Sequence, residues 1–453
     1  MGICGTAMGA VAAALKDLGH HVTGCDSNVY PPMSTFLESK GIDIVQGFDA
    51  ANVPKDADVI VIGNAMSRGN PEVEATLSLR LRYSSLPEVM KDYFLRGKRN
   101  LVVSGTHGKT TTSSILAWLL ESAEKNPNFM IGGIPGNFGK GSRMDGETDF
   151  NVIEGDEYDT AFFDKRSKFI HYLPEIAVIN NIEFDHADIF DDLDAIKLTF
   201  RRMINVVPGN GTIVINGDDR NCLEVVEGAF SPVLKVGFDE RNDQRITAVE
   251  YLAETSSFTL DGEQFEIPMV GEFNVRNAAM AATAAKCVGL DAEQIRQGLK
   301  TFAGIARRQQ LRGETSRGIK VIDDFGHHPT AMRQALAAIR TRYPNQRLWA
   351  IFEPRSNTTR RRVFQEELPK ALGAADGVCI ASIPNAEKFP ENDRLDPDLI
   401  VARLNGEGKR AFHEKDSDAI VERLKEEAKD HDVILVFSNG GFGGIHDKLL
   451  QAL

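Results

Sequence analysis

Asn100-Leu101-Val102-Val103-Ser104-Gly105-Thr106-His107-Gly108-Lys109-Thr110-Thr111-Thr112 is the stretch on which the reading of this chain turns. Its first five residues form an apolar run of the kind that fills a strand covered on both faces. Beyond Thr112, Ile115, Leu116, Leu119 and Leu120 fall at helical spacing. Strand, glycine loop and helix in that order make the setting of a phosphate-binding loop. Glycines let the backbone turn tightly and aim its N–H groups at an anion. The helix N-terminus adds about half a positive charge. Gly105, Thr106, His107, Gly108, Lys109, Thr110 and Thr111 are therefore read as a nucleotide-phosphate-binding cradle. In it Lys109 reaches the β- and γ-phosphates and the Thr110 hydroxyl ligates Mg²⁺. The G-x-x-G-K-T spacing is shorter than the common G-x-x-x-x-G-K-[ST], so the strand and helix on either side carry part of the argument; the alternative is a merely structural turn.

Working outward, similar apolar runs recur at 58–63, 150–154, 176–180, 319–323, 348–352 and 433–437, with helical patterns between them. This predicts an α/β fold with parallel sheets. At roughly 150 residues per domain, 453 residues suggest about three domains. Polar, Gly-containing Leu95–Arg99 and the end of a helical segment near Phe302–Ile305 mark boundaries, giving units over 1–97, 98–302 and 303–453. Two acidic clusters end strands of the middle unit: Glu154-Gly155-Asp156-Glu157-Tyr158-Asp159 and Asn181-Ile182-Glu183-Phe184-Asp185-His186. Ligands of open α/β sheets bind at the carboxyl ends of strands, so Glu154 and His186 are candidate Mg²⁺ ligands beside Thr110. A solvated acidic loop with a surface histidine is the competing reading.

The first unit holds a second glycine loop, Gly2-Ile3-Cys4-Gly5-Thr6-Ala7-Met8-Gly9, followed by Val22–Ser27. This is half a Rossmann-like unit whose loop suits a diphosphate and whose Asp26 suits a ribose hydroxyl; NAD is the simplest ligand such a loop suggests. The chain nearly starts at the loop, so most of a first strand is expected to be absent. No apolar run reaches membrane-spanning length, and no basic region followed by an apolar stretch marks a secretory leader. A net charge of −13 argues against nucleic acid and acidic lipid as main partners. The scattered cysteines 4, 25, 222, 287 and 379 form neither a zinc pattern nor a disulfide framework.

Taken in order, these motifs resemble the Mur ligases, the ATP-dependent amide-forming enzymes of peptidoglycan synthesis. The resemblance extends to Gly271-Glu272-Phe273-Asn274-Val275-Arg276-Asn277, to Arg307-Arg308 and to Asp323-Asp324-Phe325-Gly326-His327-His328-Pro329. It implies that Asn274 and Asn277 contact adenine, that Arg308 approaches the γ-phosphate, that Asp324 belongs to the ATP site, and that Lys109, His186, Arg308 and His327 serve catalysis. For His327, a pair of structural histidines capping the next helix is the alternative. Asn64-Ala65-Met66-Ser67-Arg68-Gly69-Asn70-Pro71-Glu72 matches the branch acting on UDP-N-acetylmuramate. That implies UDP-sugar binding by Gly5, Thr6, Met8, Asp26, Ser27, Asn64 and Ser67. Within the branch, one member adds free L-alanine and another joins recycled L-alanyl-γ-D-glutamyl-meso-diaminopimelate. The stretches 158–168, 352–358 and 438–446 favour the second, with Arg355, Ser356 and Asn357 as peptide-binding residues; a solvated basic loop running on to Arg360-Arg361-Arg362 is the alternative for these three. The resemblance also implies a cytoplasmic enzyme, a monomer or weak homodimer. Two features depart from the family: Phe200 stands where several members carry a carbamylated lysine, and the Asp-Asn-Pro-Arg reader of free diaminopimelate does not occur. A P-loop ATPase or nucleotide switch would leave the first glycine loop and the paired histidines unused, and an NAD-dependent dehydrogenase would leave the P-loop unused.

Overall fold

The computed structural model describes residues 1–144 and 148–453. Its middle part is a ten-stranded sheet. At its centre lies Arg99–Ser104, with Phe150–Glu154 and Ile176–Ile179 as parallel neighbours on either side. Thr212–Asn216, Val233–Gly237 and Gln244–Tyr251 continue the parallel run beyond Ile176–Ile179. Antiparallel Ser256–Leu260 and Glu263–Ile267 end that side, and Asn128–Met130 and Ser142–Arg143 end the other. Alternate residues of the central strand feed different cores, as a two-residue period requires. Leu101 and Val103 pack with Ile115, Leu116 and Val275. Val102 packs with Ile196, Phe200 and Met203. Because the chain leaves the central strand for Asn128–Met130 and Phe150–Glu154 on one side and then crosses to Ile176–Ile179 on the other, the loop after Ser104 emerges at a switch point of the topology, where a crevice opens.

The last part of the chain builds a six-stranded sheet in the order Gln310–Glu314, Lys320–Asp324, Val433–Phe437, Leu348–Phe352, Gly377–Ala381, Arg410–Glu414. Only Gln310–Glu314 is antiparallel to its neighbour. The register pairs Asp324 with Phe437 and Phe352 with Phe437. The three segments that follow these strands, 325–329, 353–358 and 438–444, therefore leave one carboxyl edge together.

The first part has two parallel strand pairs, Thr23–Asp26 with Asp43–Gln46 and Ile60–Ile62 with Tyr83–Ser85. Residues 1–3 lie between them: Gly2 and Ile3 donate to the Cys25 carbonyl, the Met1 amino group donates to Val61 O at 2.8 Å, and Gly63 donates to Met1 O. Among the described residues no helix is long and apolar enough to cross a membrane.

Candidate active site

Two glycines shape the cradle. Gly105 has φ +126°, and a Cβ there would meet Asn181 O at 2.9 Å. Gly108, φ +79°, caps the helix Lys109–Ser122, and a Cβ there would lie 2.5 Å from Asn277 Oδ1. The loop is held from below by the next strand's end. Asn181 Oδ1 accepts the His107 N–H at 2.8 Å, and Asn180 Nδ2 donates to Thr112 Oγ1 at 3.0 Å.

Lys109 and Thr110 already meet the partners their chemistry calls for. Lys109 Nζ donates to Gly105 O at 2.8 Å and to both Glu157 oxygens at 2.8 and 3.0 Å. His186 Nε2 lies 2.9 Å from Glu157 Oε1, and its ring packs on Tyr158. Burial would push the Glu157 carboxyl up, but Lys109 and His186 outweigh it and hold it below the usual range. Burial also opposes a charged His186, yet Glu157 and Asp185 raise it above an ordinary imidazole. Thr110 Oγ1 donates to Glu154 Oε1 at 2.9 Å, and Glu154 Oε2 accepts the Gly132 N–H at 2.6 Å. Of the three proposed metal ligands, Thr110 and Glu154 thus meet at one point, while His186 sits on Glu157.

The third part of the chain closes over this cradle. Arg308 Nη2 reaches Thr110 Oγ1 at 3.3 Å and lies over the Phe325 ring. Thr330 Oγ1 donates to Glu183 Oε2 at 2.7 Å, and His328 Nε2 to Phe184 O at 3.3 Å. His328 Nδ1 accepts the Thr330 N–H, capping the helix Pro329–Arg342. Burial and neighbouring His107 hold the His328 ring neutral, at about 3. For His327, Nδ1 donates to Phe325 O at 3.3 Å, which leaves Nε2 as the acceptor. That nitrogen lies 3.8 Å from Asp185 Oδ2. Burial lowers the His327 pKa, outweighing Asp185, and keeps the ring neutral. Asp324 accepts the Gly326 and Gln309 N–H groups, and burial raises its carboxyl despite Arg308.

Lys109, Thr110, Glu154, His186, Arg308 and His327 line one cavity of about 640 Å³. At its far end Asn274 Nδ2 donates to Val270 O, and Arg276 spans Asn216 and Asp218 under the Phe238 ring. Asn274 Oδ1 and Asn277 Nδ2 are buried with no hydrogen-bond partner among the described residues. Orphaned polar atoms in a cavity wall are groups that a ligand's polar edge satisfies.

The family pattern described as the Mur ligase middle domain matches residues 103–285. The pattern described as the Mur ligase family catalytic domain matches 1–97, and that described as the Mur ligase glutamate ligase domain matches 307–440. The chain belongs to the Mur ligase family. An Escherichia coli UDP-N-acetylmuramate–L-alanyl-γ-D-glutamyl-meso-2,6-diaminoheptandioate ligase is 44% identical, covering 100% of this chain and 97% of its own. A UDP-N-acetylmuramate–L-alanine ligase from Acetivibrio thermocellus is 32% identical, covering 100% of this chain and 95% of its own. The crystal structure of a murein peptide ligase from Psychrobacter arcticus matches with a TM-score of 0.72 at 35% identity, covering 100% of this chain and 97% of that one.

In this Mur ligase the remaining expected site residues stand apart from the cavity. Gly5 caps the helix Thr6–Asp17, and Thr6, Ser27, Asn64 and Ser67 are exposed, with Met8 half-buried. Asp26 Oδ2 accepts the Cys4 N–H and Oδ1 the Asn28 N–H, so this carboxylate also fixes its own glycine loop. Arg355, half-exposed, lies over Gly440 and 3.5 Å from Glu353. Asn357 donates to Asp188 at 2.8 Å, and Ser356 shares a hydrogen bond with Thr359. Phe200 is buried on Phe169, and Lys197 pairs with Glu224, so neither sits at the cradle. Glu157 and Glu183 are site residues to which the motifs assign no role. Both lie in the quoted acidic clusters, and their place three residues after Glu154 and three before His186 is the only sequence signal.

Proposed function

We propose that this Mur ligase joins L-alanyl-γ-D-glutamyl-meso-diaminopimelate to the lactyl carboxylate of UDP-N-acetylmuramate, converting ATP to ADP and phosphate in peptidoglycan recycling. The observation that carries the reading is the Arg308–Thr110 contact across the cavity, which joins the phosphate cradle to the sheet edge bearing His327 and Arg355. The 44% full-length identity to the tripeptide ligase, against 32% to the alanine ligase, supports the tripeptide as amine.

The chemistry follows from charge. A carboxylate resists attack because it is already negative; phosphorylation gives an acyl phosphate with a good leaving group. Lys109 and Arg308 draw the triphosphate into the cradle and screen the charge that moves onto the leaving oxygen. Thr110 and Glu154 offer clustered oxygen donors that suit Mg²⁺, and His186 would stand near a second ion. Mg²⁺, when bound, supplies further screening of the phosphates. His327, neutral and with Nε2 as acceptor, takes the proton that the attacking amine must lose. Asn274 and Asn277 face adenine. Gly5, Thr6, Met8, Asp26, Ser27, Asn64 and Ser67 hold the UDP-sugar, and Arg355, Ser356 and Asn357 the peptide's carboxylates, for which an arginine fork is apt. We assign these roles to units 1–97, 98–302 and 303–453, and place the enzyme in the cytoplasm, where nucleotide-linked sugars and ATP are found, as a monomer or weak homodimer.

Initial rates of phosphate release with UDP-N-acetylmuramate and either the tripeptide or L-alanine test the reading. A higher kcat/KM for the tripeptide is expected. Faster release with L-alanine would transfer the assignment to the alanine branch, and release independent of UDP-N-acetylmuramate would make the protein an ATPase.

A further inference from the structure

Arg307 stands beside Arg308 in the motif that opens the last part of the chain, yet the mechanism above uses only Arg308. The turn 306–309 sends the two side chains to different places. Arg307 and Gln309 hold φ of +61° and +49°, a backbone region that a residue with a side chain keeps only where its surroundings fix it. Arg308 goes to Thr110 in the phosphate cradle. Arg307 goes instead to the loop that leaves Val433–Phe437. Its Nη2 donates to Ser438 O at 2.7 Å and to Gly440 O at 2.8 Å, and its Nε donates to Asp323 Oδ2 at 3.2 Å. Asp323 is 0% exposed, so the guanidinium also compensates a buried carboxylate, with Arg312 at 3.4 Å as a second cation.

The loop needs such a clasp. Gly440, Gly441, Gly443 and Gly444 are four of the seven residues 438–444, and glycine backbones lose the most freedom on ordering. A planar fork that takes two carbonyls at once fixes the start of the loop in a way that a point charge cannot. What rests on that start is Arg355. A Cβ on Gly440 would collide with Arg355 Nε, so the guanidinium lies directly on this glycine. Ser438 completes the frame. Its hydroxyl accepts the Gly440 N–H at 2.9 Å and donates to Glu353 Oε2 at 2.5 Å, and Glu353 Oε1 lies 3.5 Å from Arg355 Nη1.

We propose that Arg307 is a positioning residue for the peptide: it holds Ser438 and Gly440 as the platform on which Arg355 lies, while its neighbour Arg308 faces the triphosphate. One turn thereby sets the peptide-side and nucleotide-side arginines from adjacent positions. The proposal rests on the reading of the protein as a tripeptide ligase in which Arg355 binds the peptide.

Initial rates of phosphate release by the full chain, with ATP, UDP-N-acetylmuramate and varied tripeptide, test it. Arg307→Lys keeps a cation beside Asp323 but loses the fork. It is expected to raise the peptide KM by about tenfold, with kcat and the ATP KM unchanged within about twofold. Because Arg307 acts through Arg355, the double variant Arg307→Lys, Arg355→Ala is expected to match Arg355→Ala alone; changes along one chain of contacts do not add. An unchanged peptide KM in Arg307→Lys, an ATP KM raised as much as the peptide KM, or a double variant weaker than Arg355→Ala by the full factor would overturn the proposal. Should Arg307→Lys not fold, Gly440→Ala decides, since its methyl group displaces Arg355 and leaves both carbonyls to Arg307. The peptide KM is then expected to rise in the wild-type background and not in Arg355→Ala; no rise in the first would overturn the platform. Wild-type protein that releases no phosphate in response to the tripeptide would instead defeat the function on which the proposal rests, and the proposal with it.

Discussion

The phosphate cradle and the Arg355 loop both leave the carboxyl edge of a parallel sheet, but they are built in opposite ways. In the cradle Lys109, Thr110, Glu154, Glu157 and His186 are buried or nearly so, and each is bonded to another member. In the loop, Arg355 is half-exposed with one long contact to Glu353, and Asn357 reaches across to Asp188 on the middle part of the chain. The cradle is organised before its ligand arrives; the loop depends on the two parts of the chain being brought together. A site of the first kind holds one chemical group and does it rigidly. A site of the second kind can admit amines of different length, which fits a ligase whose amine is a peptide.

The contrast can be broken at its strong end first. Lys109→Ala should lower kcat on the order of 10²-fold or more, because a preorganised charge on the transferring phosphate cannot be replaced by water. Retained turnover would mean that the cradle is not the reacting site. Glu154→Gln should leave the fold intact and raise the Mg²⁺ needed for half-maximal rate by about tenfold; an unmoved metal titration would remove Glu154 from the ligand set. At the weak end, Arg355→Ala should raise the peptide KM by roughly tenfold with the ATP KM unchanged, the signature of lost ground-state binding. The reverse pattern would move Arg355 to the nucleotide side.

The smallest effect concerns the buried histidines. Burial holds His171, His327 and His328 below the usual imidazole range. Below about pH 6.5 the unfolded chain takes up protons that these native rings refuse, so stability falls as pH falls. The melting temperature should drop by roughly a few degrees between pH 7.5 and 5.5. His328→Asn, which keeps a helix cap, should flatten part of that slope. A slope unchanged in the variant would show that His328 is not held neutral.

What the sequence made legible follows the same division. The central strands announce themselves because both faces are apolar, and the cradle because its chemistry is contiguous from Gly105 to Thr112. Ser256–Leu260 and Glu263–Ile267 do not, because only alternate residues such as Phe258, Leu260 and Phe265 are buried, and so short a two-residue period is easily lost among polar neighbours. Glu157 was visible as a residue but not as a role. Its place in the cradle comes from Lys109 and His186, 48 and 29 positions away, and such spacing carries no local pattern. The same holds for Glu183 and Asp188, which gain Thr330 and Asn357 as partners when the segment after 302 folds back over them.

The central claim is that a triphosphate, a nucleotide-linked sugar acid and a peptide amine react at the phosphate cradle. Its most direct test is one incubation of the full chain with ATP, Mg²⁺, UDP-N-acetylmuramate and equal amounts of tripeptide and L-alanine, followed by mass spectrometry of the nucleotide-linked product. The mass of UDP-N-acetylmuramate plus tripeptide less one water is predicted, with one ADP formed per bond. A product carrying alanine alone, or ADP without any new amide, would contradict it.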